Sequence, residues 1–126
     1  MTPPSPGERG MLRVVATPLG NLGDISERAR QSLAEADLIA CEDTRVTGNL
    51  LRLLGIEGKV LAPYHEHNEI AAAEFLADRV AEGKIVVLVS DAGTPGLSDP
   101  GFRVTRACAR RGLPVSPIPG PCAAVA

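Results

Sequence analysis

Three segments rich in glycine and proline hold the residues best suited to chemistry in this 126-residue chain. The first is Thr17-Pro18-Leu19-Gly20-Asn21-Leu22-Gly23-Asp24. The second is Ser90-Asp91-Ala92-Gly93-Thr94-Pro95-Gly96-Leu97-Ser98-Asp99-Pro100-Gly101, and the third is Pro119-Gly120-Pro121-Cys122-Ala123. Glycine lets backbone N–H and C=O groups come close to a ligand, and proline stiffens a loop so that less entropy is lost on binding. Asp91 and Asp99 offer acceptors suited to ribose hydroxyls or to a cationic group. Such loops suit a ligand held largely through backbone, with adenosine-like polar edges. The plainer reading is that glycine and proline are simply what βα turns are made of. The second segment spans twelve residues, whereas such connections usually run about 2–6, and that excess favours function there.

Two phosphate motifs are absent. No Gly-Lys-Ser/Thr follows a glycine-rich turn, since Gly83-Lys84 precedes an apolar run, and Gly20 with Gly23 gives only half of the dinucleotide pattern G-x-G-x-x-G. Cys41-Glu42-Asp43-Thr44-Arg45 places two acids and an arginine together. Glu42 and Asp43 could accept a proton or orient a substrate; alternatively Asp43 or Thr44 caps the following helix. His65-Glu66-His67 lacks a third ligand at suitable spacing, so a substrate-side or solvent-facing loop is expected there and no metal. Arg103, Arg106 and Arg110 fall on one helical face, either a solvated face or a contact for RNA phosphates.

The elements that must position these residues alternate between two periodicities. Short apolar runs at Met11–Ala16, Leu38–Cys41, Lys59–Ala62, Ile85–Val89 and Pro114–Ile118 read as strands. The run IVVLV is of the kind buried on both faces. Between them, helices are expected over Asp24–Ala36, Val46–Leu54, from the N-cap Asn68 to Glu82, and over Phe102–Arg111. Asp24 and Glu27 have capping-box spacing. Ile70, Ala73, Ala77 and Val80 should face inward, with Glu74, Asp78 and Glu82 outward. Pro121 stands in the favoured first-turn position of a further helix. The expectation is an α/β fold: a five-stranded, mostly parallel sheet with helices on both faces, and ligands beyond the strands' carboxyl ends.

Composition narrows the class. Residues 1–10 read as a flexible polar tail, and residues 11–126 as one α/β domain of a longer two-domain protein. No apolar run approaches the roughly 20 residues of a membrane span, and a cytoplasmic protein is expected. Three scattered cysteines, Cys41, Cys108 and Cys122, fit reduced thiols better than a disulfide framework. Net charge is -2, yet all 15 acids precede Pro100 while residues 100–126 carry four arginines. With only Tyr64, Phe75 and Phe102 as aromatics, a base-stacking surface is not expected.

In order, TPLGNLGDIS, ADLIACEDTR, VSDAGTPGLSDPG and PIPGPCAA resemble the signatures of the small-subunit ribosomal RNA methyltransferase I family. These are 16S rRNA (cytidine 2'-O) methyltransferases within the tetrapyrrole methylase superfamily. The resemblance runs from about Arg13 to the last residue. It implies S-adenosylmethionine as methyl donor, folded between two α/β domains, and a homodimer acting on the small ribosomal subunit. By position, Thr17, Pro18, Gly20 and Asn21 would lie beside cofactor and substrate. Asp91, Ala92, Gly93 and Thr94 would hold the ribose or methionine end, Ser98 and Asp99 would shape the same pocket, and Pro119 and Gly120 would line its far edge. Cys122 stands where many relatives have serine. Glu42 and Asp43 are the candidates for a catalytic base, and Arg45, Arg103, Arg106 and Arg110 for contacts to RNA. Two other readings stay open: a methylase of a tetrapyrrole or a protein side chain, and a cofactor-half module that does not catalyse alone.

Overall fold

Side chains alternate across a strand, so a strand apolar at every position has to be covered on both sides. The run Ile85–Val89 within the strand Ile85–Asp91 is of this kind: Val86, Val87 and Leu88 are wholly inaccessible to solvent. The computed structural model of the protein describes residues 10–17, 26–64, 68–91 and 99–118. Its elements run β1 (Met11–Thr17), α1 (Glu27–Glu35), β2 (Leu38–Cys41), α2 (Thr44–Leu53), β3 (Leu61–Pro63), α3 (Glu69–Ala81), β4 (Ile85–Asp91), α4 (Asp99–Arg110) and β5 (Val115–Ile118). The strands form one five-stranded sheet in the order β3-β2-β4-β1-β5, and every pairing is parallel. This is the α/β sheet expected from the sequence.

Two cores follow from the alternation. Leu12, Leu38, Ala40, Val86 and Leu88 point to one face, where Ala73, Leu76, Ala77 and Val80 of α3 and Val104, Ala107 and Cys108 of α4 cover them. Val15, Ile39, Cys41, Val87 and Val89 point to the other, under Ala29 and Leu33 of α1 and Leu51 of α2. The chain steps from β1 to β2 to β3 beneath α1 and α2, then returns through α3 to insert β4 between β2 and β1.

Several boundaries differ from the sequence expectation, each for a local reason. The first helix takes its cap from Ser26, whose hydroxyl accepts the Ala29 N–H at 3.1 Å, two residues later than Asp24. The third strand begins at Leu61, two residues after Lys59, whose ammonium donates to the Ala34 and Ala36 carbonyls at 2.6 and 3.0 Å and closes the end of α1. Asn68 precedes α3 without a side-chain cap, donating instead to the Pro63 carbonyl at 3.0 Å. The fourth helix starts at Asp99 instead of Phe102, so the long second segment is partly helical.

Ile70 is the one inward residue predicted for α3 that turns outward, at 66% exposure. Ala72, Ala73, Leu76, Ala77 and Val80 define the buried arc, and Ile70 lies about 90° from its centre at 100° per residue. Glu74, Asp78 and Glu82 face solvent as expected. The helix expected from Pro121 falls outside the described residues.

Gly10 belongs to the fold and not to the expected tail: it is buried, and a Cβ there would stand 1.9 Å from the Val80 carbonyl oxygen. Gly112 ends α4 at φ +73, with the Leu113 N–H donating to the Cys108 carbonyl at 2.9 Å. Gly10→Ala is expected to cost about 1–3 kcal/mol by overpacking and Gly112→Ala about 1–2 kcal/mol through its left-handed backbone. Both are read from urea midpoints at constant slope, and a wild-type midpoint for Gly10→Ala would contradict the close approach.

Candidate functional site at the strand carboxyl ends

An all-parallel sheet delivers every strand's carboxyl end to one edge, and register decides which ends are neighbours. Thr17 pairs with Asp91 across β1 and β4, and Val15 pairs with Ile118 across β1 and β5. The three glycine- and proline-rich segments therefore leave from adjacent strands at one edge. From β1 the chain passes to α1 on one face, and from β4 to α4 on the other. Neighbouring strands whose connections diverge open a crevice between them, the usual ligand position in open α/β sheets.

Thr17, Asp91 and Asp99 enter this edge as backbone positions at the ends of β1 and β4 and the start of α4. Pro18, Gly20, Asn21, Ala92, Gly93, Thr94, Ser98, Pro119 and Gly120 lie outside the described residues, as do His65, His67 and Cys122. Strand β2 flanks β4 on its other side, pairing Ala40 with Leu88, and brings Glu42, Asp43 and Arg45 to the same edge. Asp43 is the cap of α2: its Oδ1 accepts the Arg45 N–H at 2.9 Å and the Val46 N–H at 3.3 Å. Glu42 and Arg45 are exposed. The two readings of this cluster thus separate by residue, with Asp43 holding the helix and Glu42 facing solvent.

Tyr64 is the residue that sequence reasoning passes over. It is 1% exposed, and its hydroxyl donates to the Val89 carbonyl at 2.7 Å. The β2–β4 ladder reaches Ala40 and Leu88, so the phenol joins β3's end to β4 just beyond the last paired residues. It fixes β4 two residues before Asp91. The available signal was a lone tyrosine directly after an apolar run.

Cys41, at the end of β2, is buried; burial raises its thiol pKa, the Thr47 hydrogen bond opposes this, and the Asp43 charge reinforces it. Burial likewise pushes Cys108 up to about 11, with Arg111 acting in the opposite direction. Both cysteines are free and buried, as the sequence suggests.

The arginines do share a face of α4. Arg103, Arg106 and Arg110 line a groove of about 380 Å³ between α3 and α4, with Glu69 and Glu74 on the opposite wall. Arg103 Nε lies 3.0 Å from Glu69 Oε1. Glu74 and Asp78 are bound by Arg111, and these carboxylates hold that guanidinium above its ordinary pKa, Asp78 most strongly.

This arrangement is that of a methylase domain. Residues 11–126 match the model of the family Tetrapyrrole (Corrin/Porphyrin) Methylases, and the chain belongs to that family. Among curated relatives it is 50% identical over 117 residues to Ribosomal RNA small subunit methyltransferase I of Escherichia coli O157:H7, covering 93% of this chain and 41% of the relative. It is 47% identical over 119 residues to the protein of that name in Leptospira biflexa, covering 94% and 49%. The chain thus spans less than half the length of these relatives. A uroporphyrin-III-C-methyltransferase from Thermus thermophilus superposes with TM-score 0.68 at 21% identity, over 89% of this chain and 48% of that one. A cobalt precorrin-4 methyltransferase gives 0.71 at 21%, over 95% and 48%, and establishes the same fold. Among the described residues no helix is long and apolar enough to cross a membrane.

Two measurements follow from the buried groups. Tyr64→Phe removes a donor from the Val89 carbonyl and is expected to cost about 1 kcal/mol, read from denaturant midpoints; an unchanged midpoint would remove the bond from the account. Cys108 has a folded pKa above its ordinary 9.0. Its contribution is therefore complete below about pH 9 and lost as pH rises toward about 11. Unfolding free energy should fall more steeply over that window in the wild type than in Cys108→Ala, and parallel curves would contradict it.

Proposed function

We propose that this chain is the amino-terminal α/β domain of an S-adenosylmethionine-dependent methyltransferase that modifies a cytidine 2'-oxygen in 16S rRNA. On this reading the whole protein acts as a cytoplasmic homodimer on the small ribosomal subunit. The observation that carries the reading is the register of β1, which pairs Thr17 with Asp91 and Val15 with Ile118. It sets side by side the strand ends from which the three segments leave, which supports a shared crevice for segments that resemble the family's cofactor loops. Relatives named ribosomal RNA methyltransferases, at 47–50% identity, favour an RNA substrate over the tetrapyrroles of the structural neighbours at 21%.

The residues at the crevice fit such a cofactor. The small residues of the three segments would allow close backbone approach, and Asp91 and Asp99 would offer acceptors for ribose hydroxyls or for a cationic group. S-adenosylmethionine, when bound, supplies a methyl group already activated by its sulfonium. The protein's own task is then alignment and exclusion of water. Thr17, Pro18, Gly20 and Asn21 would flank cofactor and substrate, with Asp91, Ala92, Gly93, Thr94, Ser98 and Asp99 on one side and Pro119 and Gly120 on the other. A neutral ribose hydroxyl is a poor nucleophile, so a base helps. Glu42 takes that role, because the Asp43 carboxylate is committed to the start of α2.

The direct experiment incubates the full-length protein with labelled S-adenosylmethionine and small subunits that lack the modification, then maps the label by nuclease digestion and mass spectrometry. Label on a cytidine ribose is expected; cofactor binding without labelled RNA would move the substrate to another branch of the family. The 126-residue chain alone should show no turnover, and a rate like that of the full-length protein would contradict the need for a second domain. Glu42→Gln should lower kcat by about 10²-fold or more. Asp43→Asn keeps a good cap and should leave stability and kcat near wild type, and the reverse pattern would exchange the two roles.

A further inference from the structure

We propose that the groove between α3 and α4 is a phosphate track for RNA, with Arg103, Arg106 and Arg110 as its contacts. The inference rests on the reading of this chain as part of an RNA methyltransferase and adds where the substrate's backbone runs. Residues three and four apart on a helix share a face, and these arginines line a groove of about 380 Å³. From Arg103 to Arg110 they extend about 10 Å along the axis at 1.5 Å per residue. Helices that follow parallel strands begin at the strands' carboxyl edge. The Arg103 end of the groove therefore opens beside the crevice, and its length leads away from it.

The charges within the groove are unequally available. Glu74 is occupied by Arg111, which also holds Asp78 at 2.7 Å. Glu69 remains as the carboxylate facing Arg103, and both groups keep solvent access, at 23% and 52%. A phosphate entering the groove competes with Glu69 for that guanidinium, which can hold either oxyanion in a bidentate fashion. Ala73 and Ala107, 5% and 3% exposed, keep the floor shallow and small, so a backbone can lie close. Among the described residues that line the groove none is aromatic, so these contacts suit phosphates and not bases.

The test measures anisotropy of a fluorescein-labelled mixed-sequence single-stranded RNA on the 126-residue chain between 50 and 200 mM KCl. The log–log salt slope of wild type should fall in magnitude by about 1.4 in Arg106→Gln/Arg110→Gln, at about 0.7 per phosphate contact. Arg28→Gln, exposed on α1 across the sheet, should leave the slope unchanged. Glu69→Gln should tighten binding several-fold, a gain that poor folding cannot imitate. An unchanged slope in the double variant, an equal loss in Arg28→Gln, or no tightening in Glu69→Gln overturns the track. Binding of polyglutamate as tight as that of RNA also overturns it and marks an acidic protein surface instead. In the full-length protein, wild-type KM for ribosomal subunits in the double variant defeats the track alone. Absence of labelled RNA from wild type defeats the underlying functional reading.

Discussion

The β1–β4 ladder is the constraint on which the rest depends. Seven consecutive parallel pairs, from Met11↔Ile85 to Thr17↔Asp91, join the two central strands. A shift of one residue would exchange the faces of each strand, placing Leu12 and Val86 where Val15 and Val87 belong and dismantling both cores. It would also separate Thr17 from Asp91. Core formation and loop convergence are thus one event. The register that closes both cores also sets which strand ends stand side by side at the carboxyl edge.

Around that ladder, polar side chains close the ends of strands and helices. Tyr64 bonds the Val89 carbonyl, Asp43 caps α2, and the Asp37 carboxylate accepts the Ile85 N–H at 2.8 Å to begin β4. Each satisfies a backbone group where a ladder or helix ends, since unpaired groups there would cost more than the bonds return. Two of these bonds bracket β4, one at each end, so the strand that leads into the longest signature segment is held along its whole length. On the proposed reading a cofactor gripped mainly by backbone would need this, because a shift of the strand end would move the N–H and C=O groups that contact it.

The extent to which this was legible in the sequence follows range. IVVLV, the glycines after α2, α3 and α4 and the alternating runs are local signals, and they point to five strands and the helices between them. Boundaries differ by a few residues at the ends of elements: Lys59 precedes β3 while its ammonium closes α1, and α1 takes its cap from Ser26. Ile70 turns outward because its apolar character matches the inward set while its angle does not. For the site, motif wording points to three segments, but their adjacency depends on β4 entering between β2 and β1, which no spacing encodes. The Tyr64–Val89 bond spans 25 residues and has no local sign at all.

Fold alone does not choose a substrate. The same sheet superposes on enzymes named for uroporphyrin-III and cobalt precorrin-4 at 21% identity, while relatives at 47–50% carry a ribosomal name. Features that discriminate must therefore lie outside the shared frame. Strand interiors are occupied by core packing on both faces, and on the proposed reading the carboxyl-edge loops would serve the cofactor. What remains free to vary is the outer surface of the helices, and there the charge is segregated: acids end at Asp99 and arginines fill the exposed side of α4. An extended polyanion makes contacts well beyond its reacting atom, whereas a compact ring system can be enclosed by the crevice. A basic face that runs outward from the carboxyl edge is a feature that the proposed RNA substrate would use and an enclosed one would not.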